Sequence, residues 1–301
     1  MLSPFRPRVA HSAVHFARTW EPAIDPLLSY MVRFWGVRGS ASCAGPEWAR
    51  YGGNTACVEV RCGERLLIFD AGTGLQRLGV ALRGQAVDAD MLLSHTHLDH
   101  VSGIPFFGPF YDPRSTFRLH AGHLRPEHSI DEALQLFMAP PLFPVPPAVF
   151  AAKIVHNDFV AGTVLDLGQG IIVRTQPLHH PNRATAYRVE YLGKSVCYVT
   201  DTEHVPGELD AGILDLIRGA DVVIYDCTYT DAEYPAHVGW GHSTWEQGVR
   251  LCDAAGAAML VIFHHDPAHD DGFMDGIAAE AAMRRPGTVV AREGMVVNLL
   301  R

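Results

Sequence analysis

The segment "LLSHTHLDHVSG" (92–103) places three histidines and an aspartate within six positions, directly after an apolar run. Alternate side chains of an extended segment point the same way, so His95 and His97 can face one ion. Asp99 and His100 follow where a turn or helix start would direct them to a neighbouring ion. Imidazole and carboxylate groups are typical ligands of divalent transition metals. The spacing therefore predicts a metal site at a strand end, against the alternative of a polar loop formed by chance.

Short apolar or β-branched runs that end in Gly, Asp or His recur along the chain from Met31 onward. These runs predict strands, and segments with helical periodicity lie between several of them. Strands are predicted at 31–36, 56–62, 65–72, 90–95, 171–176, 185–192, 195–201, 221–226 and 258–265, and helices at 74–83, 130–138, 208–218, 243–256 and 272–285. Many strands precede the first helices and the pattern recurs in the second half. This order favours two packed sheets with outer helices over a doubly wound single sheet.

Two segments depart from the regular pattern. Residues 1–30 are predicted to be an N-terminal extension, and residues 31–301 to form the folded domain. The segment "MAPPLFPVPP" (138–147) is too rich in proline for a regular helix. A lid, a pocket wall, a packed loop and a dimer contact are the interpretations open for it.

Composition narrows the expected partners of the domain. The chain has 24 basic and 33 acidic residues, a net charge of −9, and no long basic run. These features disfavour extensive nucleic-acid binding and a membrane-surface patch, and no apolar stretch approaches the roughly 20 residues that span a bilayer. The six cysteines form no CxxC pair, which is typical of reduced thiols in a cytoplasmic protein. The expected partner is a small substrate, and a homodimer is an open alternative.

Further candidate ligands stand at the ends of later predicted strands. Any one of them alone is more often a polar cap on a strand than a ligand. Their order along the chain, His then Asp then His after the HxHxDH motif, favours a larger ligand set. The candidates are His179 and His180 in "QPLHHPN", Asp201 in "VTDTEH", and His264 and His265 in "VIFHHDPAHDD".

This series of motifs resembles that of the metallo-β-lactamase superfamily, and the resemblance extends from Met31 to the C-terminus. It implies a four-layer αββα sandwich, an α/β (α+β) fold, with the site at one rim of the sheets. It also implies two divalent metal ions, with zinc expected and manganese or iron as alternatives. By this resemblance one ion would be held by His95, His97 and His180, the other by Asp99, His100 and His264, and Asp201 would bridge them.

Two of these assignments choose between neighbouring histidines. His180 is preferred to His179 because the family's ligand commonly precedes a Pro or Gly turn directly. His264 is preferred to His265 because it directly follows the apolar run. Either choice can be displaced by one residue.

Other residues extend the resemblance. Asp70 in "IFDAGTG" matches the family's early Asp-x-Gly. This match predicts that Asp70 is the hydrogen-bond partner of a ligand histidine and not itself a ligand. The intact His97 counts against the redox branch of the superfamily, which usually has glutamate there. Arg38 is a candidate contact for a phosphate group.

The expected reaction depends on two residues after the bridging aspartate. "VVIYDCTYT" ends a strand at Asp226, and "GWGHSTWEQ" places His242 just before a helix. This arrangement resembles the phosphodiesterase branch that includes ribonuclease Z, where a strand-end acid and a His-x-Thr form a proton-donating pair. That branch usually has Glu at the position of Asp226. In the alternative interpretation, Ser243 and Glu246 only cap the helix.

The resemblance implies a dinuclear phosphodiesterase with Asp99, Asp226 and His242 as its catalytic residues. The ions would form a bridging hydroxide that attacks phosphorus, and His242 would protonate the poor alkoxide leaving group. The expected substrate is a small phosphodiester, either a cyclic nucleotide or an oligonucleotide end. The alternatives are a lactonase or thioesterase-type ester hydrolase on the same fold and a non-catalytic metal-bound sensor.

Overall fold

The structure, a computed structural model, describes residues 29–300. Strands occupy most of the positions where short apolar runs end in polar residues. The strands are β1 (Tyr30–Gly36), β2 (Cys57–Cys62), β3 (Arg65–Phe69), β4 (Asp88–Leu93), β5 (Thr116–Ala121), β6 (Lys153–Asp158), β7 (Val164–Asp166), β8 (Ile172–Leu178), β9 (Ala184–Tyr191), β10 (Lys194–Val199), β11 (Val222–Asp226), β12 (Met259–Phe263), β13 (Thr288–Val290) and β14 (Val296–Asn298). The α-helices are α1 (Gly74–Ala81), α2 (Leu98–Val101), α3 (Ile130–Phe137), α4 (Ala211–Ile217), α5 (Trp245–Ala255) and α6 (Asp271–Arg284).

These strands form two seven-stranded sheets. The first has the order β14-β1-β2-β3-β4-β5-β6, and the second has the order β13-β12-β11-β10-β9-β8-β7. Strands β3 to β6 pair in parallel, and so do β10 to β13. Because parallel strands end at the same edge, the segments that follow them gather at one rim of each sheet.

Three apolar layers separate the sheets and helices. Side chains such as Phe69, Tyr198 and Phe263 fill the space between the two sheets. A second layer packs α1 and α3 on the outer face of the first sheet, and a third packs α4, α5 and α6 on the second sheet. The four-layer αββα arrangement predicted from the sequence is therefore confirmed.

Several elements differ from the sequence prediction. Strands β5, β6, β7, β13 and β14 were not predicted. In β5 the polar side chains of Arg118 and His120 interrupt the apolar pattern by which strands were predicted. Both contact Asp90 of the neighbouring strand. Residues 138–146 form no helix or strand, as expected, and the Phe143 ring lies 6.0 Å from the Phe106 ring.

The N-terminal extension was predicted for residues 1–30. Its first 28 residues lie outside the described part of the chain, and β1 begins at Tyr30. None of the helices within residues 29–300 combines the length and the apolarity needed to cross a bilayer.

Candidate metal centre

The predicted ligands gather at the rim where the strands of both sheets end. His95, His97, Asp99 and His100 follow β4, and the others follow three strands of the second sheet. These are His180 after β8, Asp201 after β10 and His264 after β12. Residues more than 160 positions apart in the sequence thus share one site.

One group of ligand atoms comes from His95, His97 and His180, and these atoms lie within 4.8 Å of one another. The Nδ1 atom of His97 is 3.1 Å from Nε2 of His180. Oδ2 of Asp201 lies 3.6 Å from Nε2 of His180 and 3.7 Å from Nε2 of His95. Nε2 of His95 is buried and has no hydrogen-bond partner within the described part of the chain. This group, the first ligand group, surrounds a position that suits a cation.

A second ligand group comprises Asp99, His100 and His264. Nε2 of His100 and Nε2 of His264 lie 3.2 Å apart. Oδ2 of Asp99 is 3.2 Å from the first of these nitrogens and 3.4 Å from the second. Oδ1 of Asp201 lies 3.2 and 3.3 Å from the same two nitrogens. Asp201 therefore directs one oxygen to each group, which is the arrangement of a bridging carboxylate.

The ring nitrogens that do not face these groups are all engaged elsewhere. The hydroxyl protons of Ser94 and Thr228 are donated to Asp70 and Asp226, so both hydroxyls accept from a histidine N–H. In the neutral ring the outward nitrogen then carries the hydrogen and the inward nitrogen carries the lone pair, the form that binds a metal. The outward contacts are His95 to Ser94 Oγ (3.0 Å), His97 to Asn182 Oδ1 (3.1 Å), His180 to the Gly241 carbonyl (2.7 Å), His100 to Asp70 Oδ2 (2.8 Å) and His264 to Thr228 Oγ1 (3.0 Å).

The donor set therefore fits two divalent cations. Converging lone pairs and carboxylates repel one another unless positive charge lies between them. Five imidazoles and two carboxylates are ligands that zinc, manganese and iron accept.

Three residues at strand ends adopt the left-handed backbone conformation, which is uncommon outside glycine. The φ angles are 56° at Asp70, 60° at Asp201 and 62° at His264. Such residues cost on the order of 1–3 kcal/mol and persist only where surrounding contacts determine them. Here the conformation turns each side chain from its strand toward the rim.

Glycine allows the backbone to approach two of the ligand rings. A Cβ atom at Gly241 would lie 2.4 Å from Nδ1 of His180, and a Cβ atom at Gly39 would lie 2.3 Å from the His264 ring. Gly241 and Gly39 thus have a steric function at the centre.

Electrostatics at the centre favour cations. Burial raises the pKa of Asp201, but His100 and His264 outweigh this effect and hold the pKa well below its usual range. Burial also raises the pKa of Asp99, but His100 outweighs this effect and holds the pKa below its usual range. Burial lowers the pKa of His95. The carboxylates are thus ionised and His95 is neutral. Burial lowers the pKa of His100, but Asp201 and Asp99 outweigh it and raise this pKa, so a cation bound there would take the place of its proton.

His242 and Asp226, which are 16 positions apart in the sequence, form a buried pair beside the centre. Nδ1 of His242 donates to Oδ2 of Asp226 at 3.0 Å. The backbone N–H groups of Thr202 and Thr228 also donate to the Asp226 carboxylate, each at 3.1 Å. The His242 ring stacks on the His264 ring at 5.0 Å. Burial lowers the pKa of His242, but the Asp226 carboxylate outweighs it and raises the pKa to about 9.

The helix cap predicted at Ser243 is wrong. Thr244 is the N-cap of α5, and its side chain accepts from the N–H of Gln247 at 3.1 Å. The Ser243 hydroxyl instead contacts Nδ1 of His204 at 2.8 Å. Helix capping therefore does not account for Ser243, and it never accounted for His242.

Three residues considered from the sequence lie away from both ligand groups. The side chain of His179 is 78% exposed and points to Asp210, 3.4 Å away. His265 is buried and its Nε2 donates to the Ala291 carbonyl at 2.8 Å. Arg38 is buried and donates to backbone carbonyls, including that of Gly52 at 2.8 Å, so it is not placed to contact a phosphate.

Sequence reasoning missed two hydroxyl groups that support the ligands. The Tyr198 hydroxyl donates to Oδ2 of Asp70 at 2.8 Å, the atom that also accepts from His100. Thr228 links His264 to Asp226. Both residues occur without a motif, so only spatial proximity identifies them.

Comparisons with known proteins identify relatives of the whole domain. The family described as "Beta-lactamase superfamily domain" matches residues 65–265. Ribonuclease Z of Mycobacterium avium (strain 104) is 30% identical over 255 residues, which cover 76% of this chain and 86% of that protein. Ribonuclease Z of Synechococcus sp. (strain WH7803) is 25% identical over 325 residues, covering 82% of this chain and 91% of that protein.

A similar fold occurs in the crystal structure of the metallo-beta-lactamase fold protein YhfI from Bacillus subtilis. The TM-score is 0.68 at 20% sequence identity, with 90% of this chain and 99% of that chain covered. The fold is thus shared with known proteins.

Proposed function

Because the chain belongs to the metallo-β-lactamase superfamily and is a metal-dependent hydrolase of its ribonuclease Z-like branch, we propose that it is a dinuclear phosphodiesterase. The proposed substrates are small phosphodiesters, including oligonucleotide ends. The relatives are named ribonucleases, which weighs against the expectation that extensive nucleic-acid binding is disfavoured. Cytoplasmic location is part of the proposal, supported by the six cysteines, which are all free.

The single observation that carries the proposal is the His242–Asp226 pair beside the ligand groups. A thioester releases a thiolate, which leaves without a proton, whereas an alkoxide leaving from phosphorus needs one. His242 is held at Nδ1 by a carboxylate that favours its charged form. Its Nε2–H is therefore the proton that can be transferred to the leaving oxygen.

The two ligand groups would hold the ions, for which zinc is the proposed metal. Bound divalent ions supply Lewis-acid charge that neutralises phosphoryl oxygens and activates water. The chain's own contribution is to orient the groups around the phosphate. Asp201 directs one carboxylate oxygen to each ligand group and so links the two groups. Asp99 accepts a hydrogen bond from the backbone N–H of Ser40 at 2.7 Å, which fixes its carboxylate.

The proposal is tested by turnover of bis(p-nitrophenyl) phosphate, p-nitrophenyl acetate and a lactone on one zinc-loaded sample whose metal content is measured. Chelator-sensitive cleavage of the phosphodiester at about two metals per chain is expected. Cleavage of the ester or the lactone alone would overturn the phosphodiesterase assignment and favour the ester hydrolase. Metal binding without turnover of any of the three would instead favour a non-catalytic sensor.

A further inference from the structure

Two cavities border the candidate metal centre. The first, of about 460 Å³, is bordered by His95 and His97. The second, of about 540 Å³, is bordered by His180 itself. Both volumes lie in the range of small-molecule sites. A substrate held at the ligand groups thus has room for a bulky substituent in each of the two cavities.

Arg183 lies between these cavities and lines both of them. It is the only Lys or Arg among the described residues that border either cavity. The other charged side chains on these walls are carboxylates or histidines, such as Glu132 in the first cavity and Glu208 in the second. An anionic group of a substrate that extends from the metal centre therefore meets one cation, Arg183.

The backbone places Arg183 beside the metal ligands. Its N–H donates to the His180 carbonyl at 2.9 Å, which closes a turn with Pro181 and Asn182 at its centre. The Asn182 side chain accepts from His97 at 3.1 Å. Asn182 and Arg183 have φ angles of 63° and 69°. Asparagine tolerates this conformation, but it is uncommon for a residue with a long side chain and is concentrated at functional sites.

The contacts that hold the guanidinium of Arg183 are ones that a phosphate can replace. It donates to the Arg125 carbonyl at 3.0 Å and to the Glu127 carboxylate. The side chains of Arg183 and Glu127 are 54% and 53% exposed. Exposed ion pairs of this kind contribute little, whereas the planar guanidinium is well matched to two oxygens of a phosphate.

We propose that Arg183 binds a second phosphate of the substrate, a role that rests on the proposed phosphodiesterase function. The preferred substrate class is then a linear phosphodiester that carries another phosphate, as an oligonucleotide end does. Such a molecule has a substituent on each side of the scissile phosphate and uses both cavities. A cyclic nucleotide has one nucleoside and no second phosphate, so it occupies one cavity and leaves Arg183 paired with Glu127.

The test compares the zinc-loaded wild type with Arg183→Gln on thymidine dinucleotides that carry no terminal phosphate, a 5′-phosphate or a 3′-phosphate. For at least one phosphorylated dinucleotide, R183Q should raise KM by about tenfold or more, the loss expected for a hydrogen bond to a charged group. Its kcat for that substrate and its KM for the unphosphorylated dinucleotide should stay unchanged. Arg183→Lys should recover part of the lost affinity because it restores the charge.

Arg114→Gln is the matched control, since Arg114 is a similarly exposed arginine paired with a neighbouring carboxylate, Asp112. R114Q should leave all three KM values unchanged. Equal effects of R183Q on phosphorylated and unphosphorylated dinucleotides, or no effect on either, would overturn the role of Arg183 alone. Absence of phosphodiester turnover in the metal-loaded wild type would contradict the proposed function itself.

Discussion

Nδ1 of His242 lies 3.0 Å from Oδ2 of Asp226, and the same carboxylate accepts two backbone N–H groups. The carboxylate is thus fixed by the main chain and in turn fixes the imidazole. The shorter aspartate side chain, at a position where the related branch usually has glutamate, still reaches the ring. The pair is therefore held beside both ligand groups, with the His242 ring 5.3 Å from that of His180 and 5.0 Å from that of His264, which supports the proposed role of His242 as a proton donor.

Replacing His242 by alanine should lower kcat for an unactivated dinucleotide by about 10²–10⁴-fold, the range for loss of a general acid. The effect on bis(p-nitrophenyl) phosphate should be much smaller, because p-nitrophenolate leaves without a proton. Parallel steady-state kinetics on the two substrates measure this difference. His156→Ala, which removes a partly exposed histidine of β6 outside both ligand groups and both cavities, is the control. An equal loss on both substrates would argue against proton donation.

The protonated form of His242 should set an alkaline limit to activity. Its pKa is about 9 because the Asp226 carboxylate outweighs burial, and bound cations lower this value. Dinucleotide turnover should therefore decline as the pH rises toward 9, since His242 loses its proton. Asp226→Asn removes the carboxylate charge that raises the pKa of His242, so the decline should begin at lower pH. A pH profile of kcat that is identical in D226N and wild type would exclude this coupling.

His180→Ala should reduce the metal content from about two ions per chain to about one, because the second ligand group remains complete without it. The neighbouring variant His179→Ala should retain both ions. Elemental analysis of the two variants after zinc loading and desalting makes the comparison. Equal metal content in H179A and H180A would show that His180 is not a ligand.

Metal binding should also depend on Asp70, which belongs to neither ligand group but accepts from His100, Ser94 and Tyr198. Asp70→Asn should weaken zinc affinity by about 10–100-fold, the usual effect of removing the partner of a ligand histidine. Competition with a chromogenic chelator measures the affinity. Tyr198→Phe removes one contact of the same carboxylate and should have a smaller effect; unchanged affinity in D70N would contradict the role of Asp70.

A charged cluster on the first sheet should contribute to stability. The Asp90 side chain is 1% exposed and accepts from Arg118 at 2.8 Å and His120 at 2.9 Å. Burial opposes its charge, but these partners and Arg65 hold its pKa below the usual range. Asp90→Asn should lower the free energy of unfolding by about 3 kcal/mol near neutral pH.

The pH dependence of this effect follows from the sign of the pKa shift. Because the pKa of Asp90 is lower in the folded state, its stabilisation is present above the unfolded value of about 4 and is lost as the pH falls below it. Urea unfolding of wild type and D90N should therefore converge in acid. Asp88→Asn, which removes an exposed partner of Arg118, should change stability by at most about 1 kcal/mol. A loss in D88N as large as that in D90N would show that burial is not the cause.

Local sequence was sufficient to predict the fold class and the chemical nature of the site. The HxHxDH motif lies in one continuous segment, and its spacing limits where His95, His97, Asp99 and His100 can point. The apolar runs that end in polar residues predicted most of the strands, since burial on the inner face of a sheet requires such runs. Strands such as β5 escaped prediction because their polar residues are matched by partners on the adjacent strand, which no local pattern reveals.

Only the tertiary structure distinguishes His180 from His179 and His264 from His265. Neighbouring residues at a strand end point in different directions, so the direction of the last turn decides which imidazole faces the rim. The same is true of Tyr198 and Thr228, whose hydroxyls hold ligands that are distant in the sequence. Arg183 lies between two cavities because the turn after β8 and the loop that contains Glu127 meet there. Contacts between distant segments arise from packing of the two sheets, and that packing depends on the whole chain.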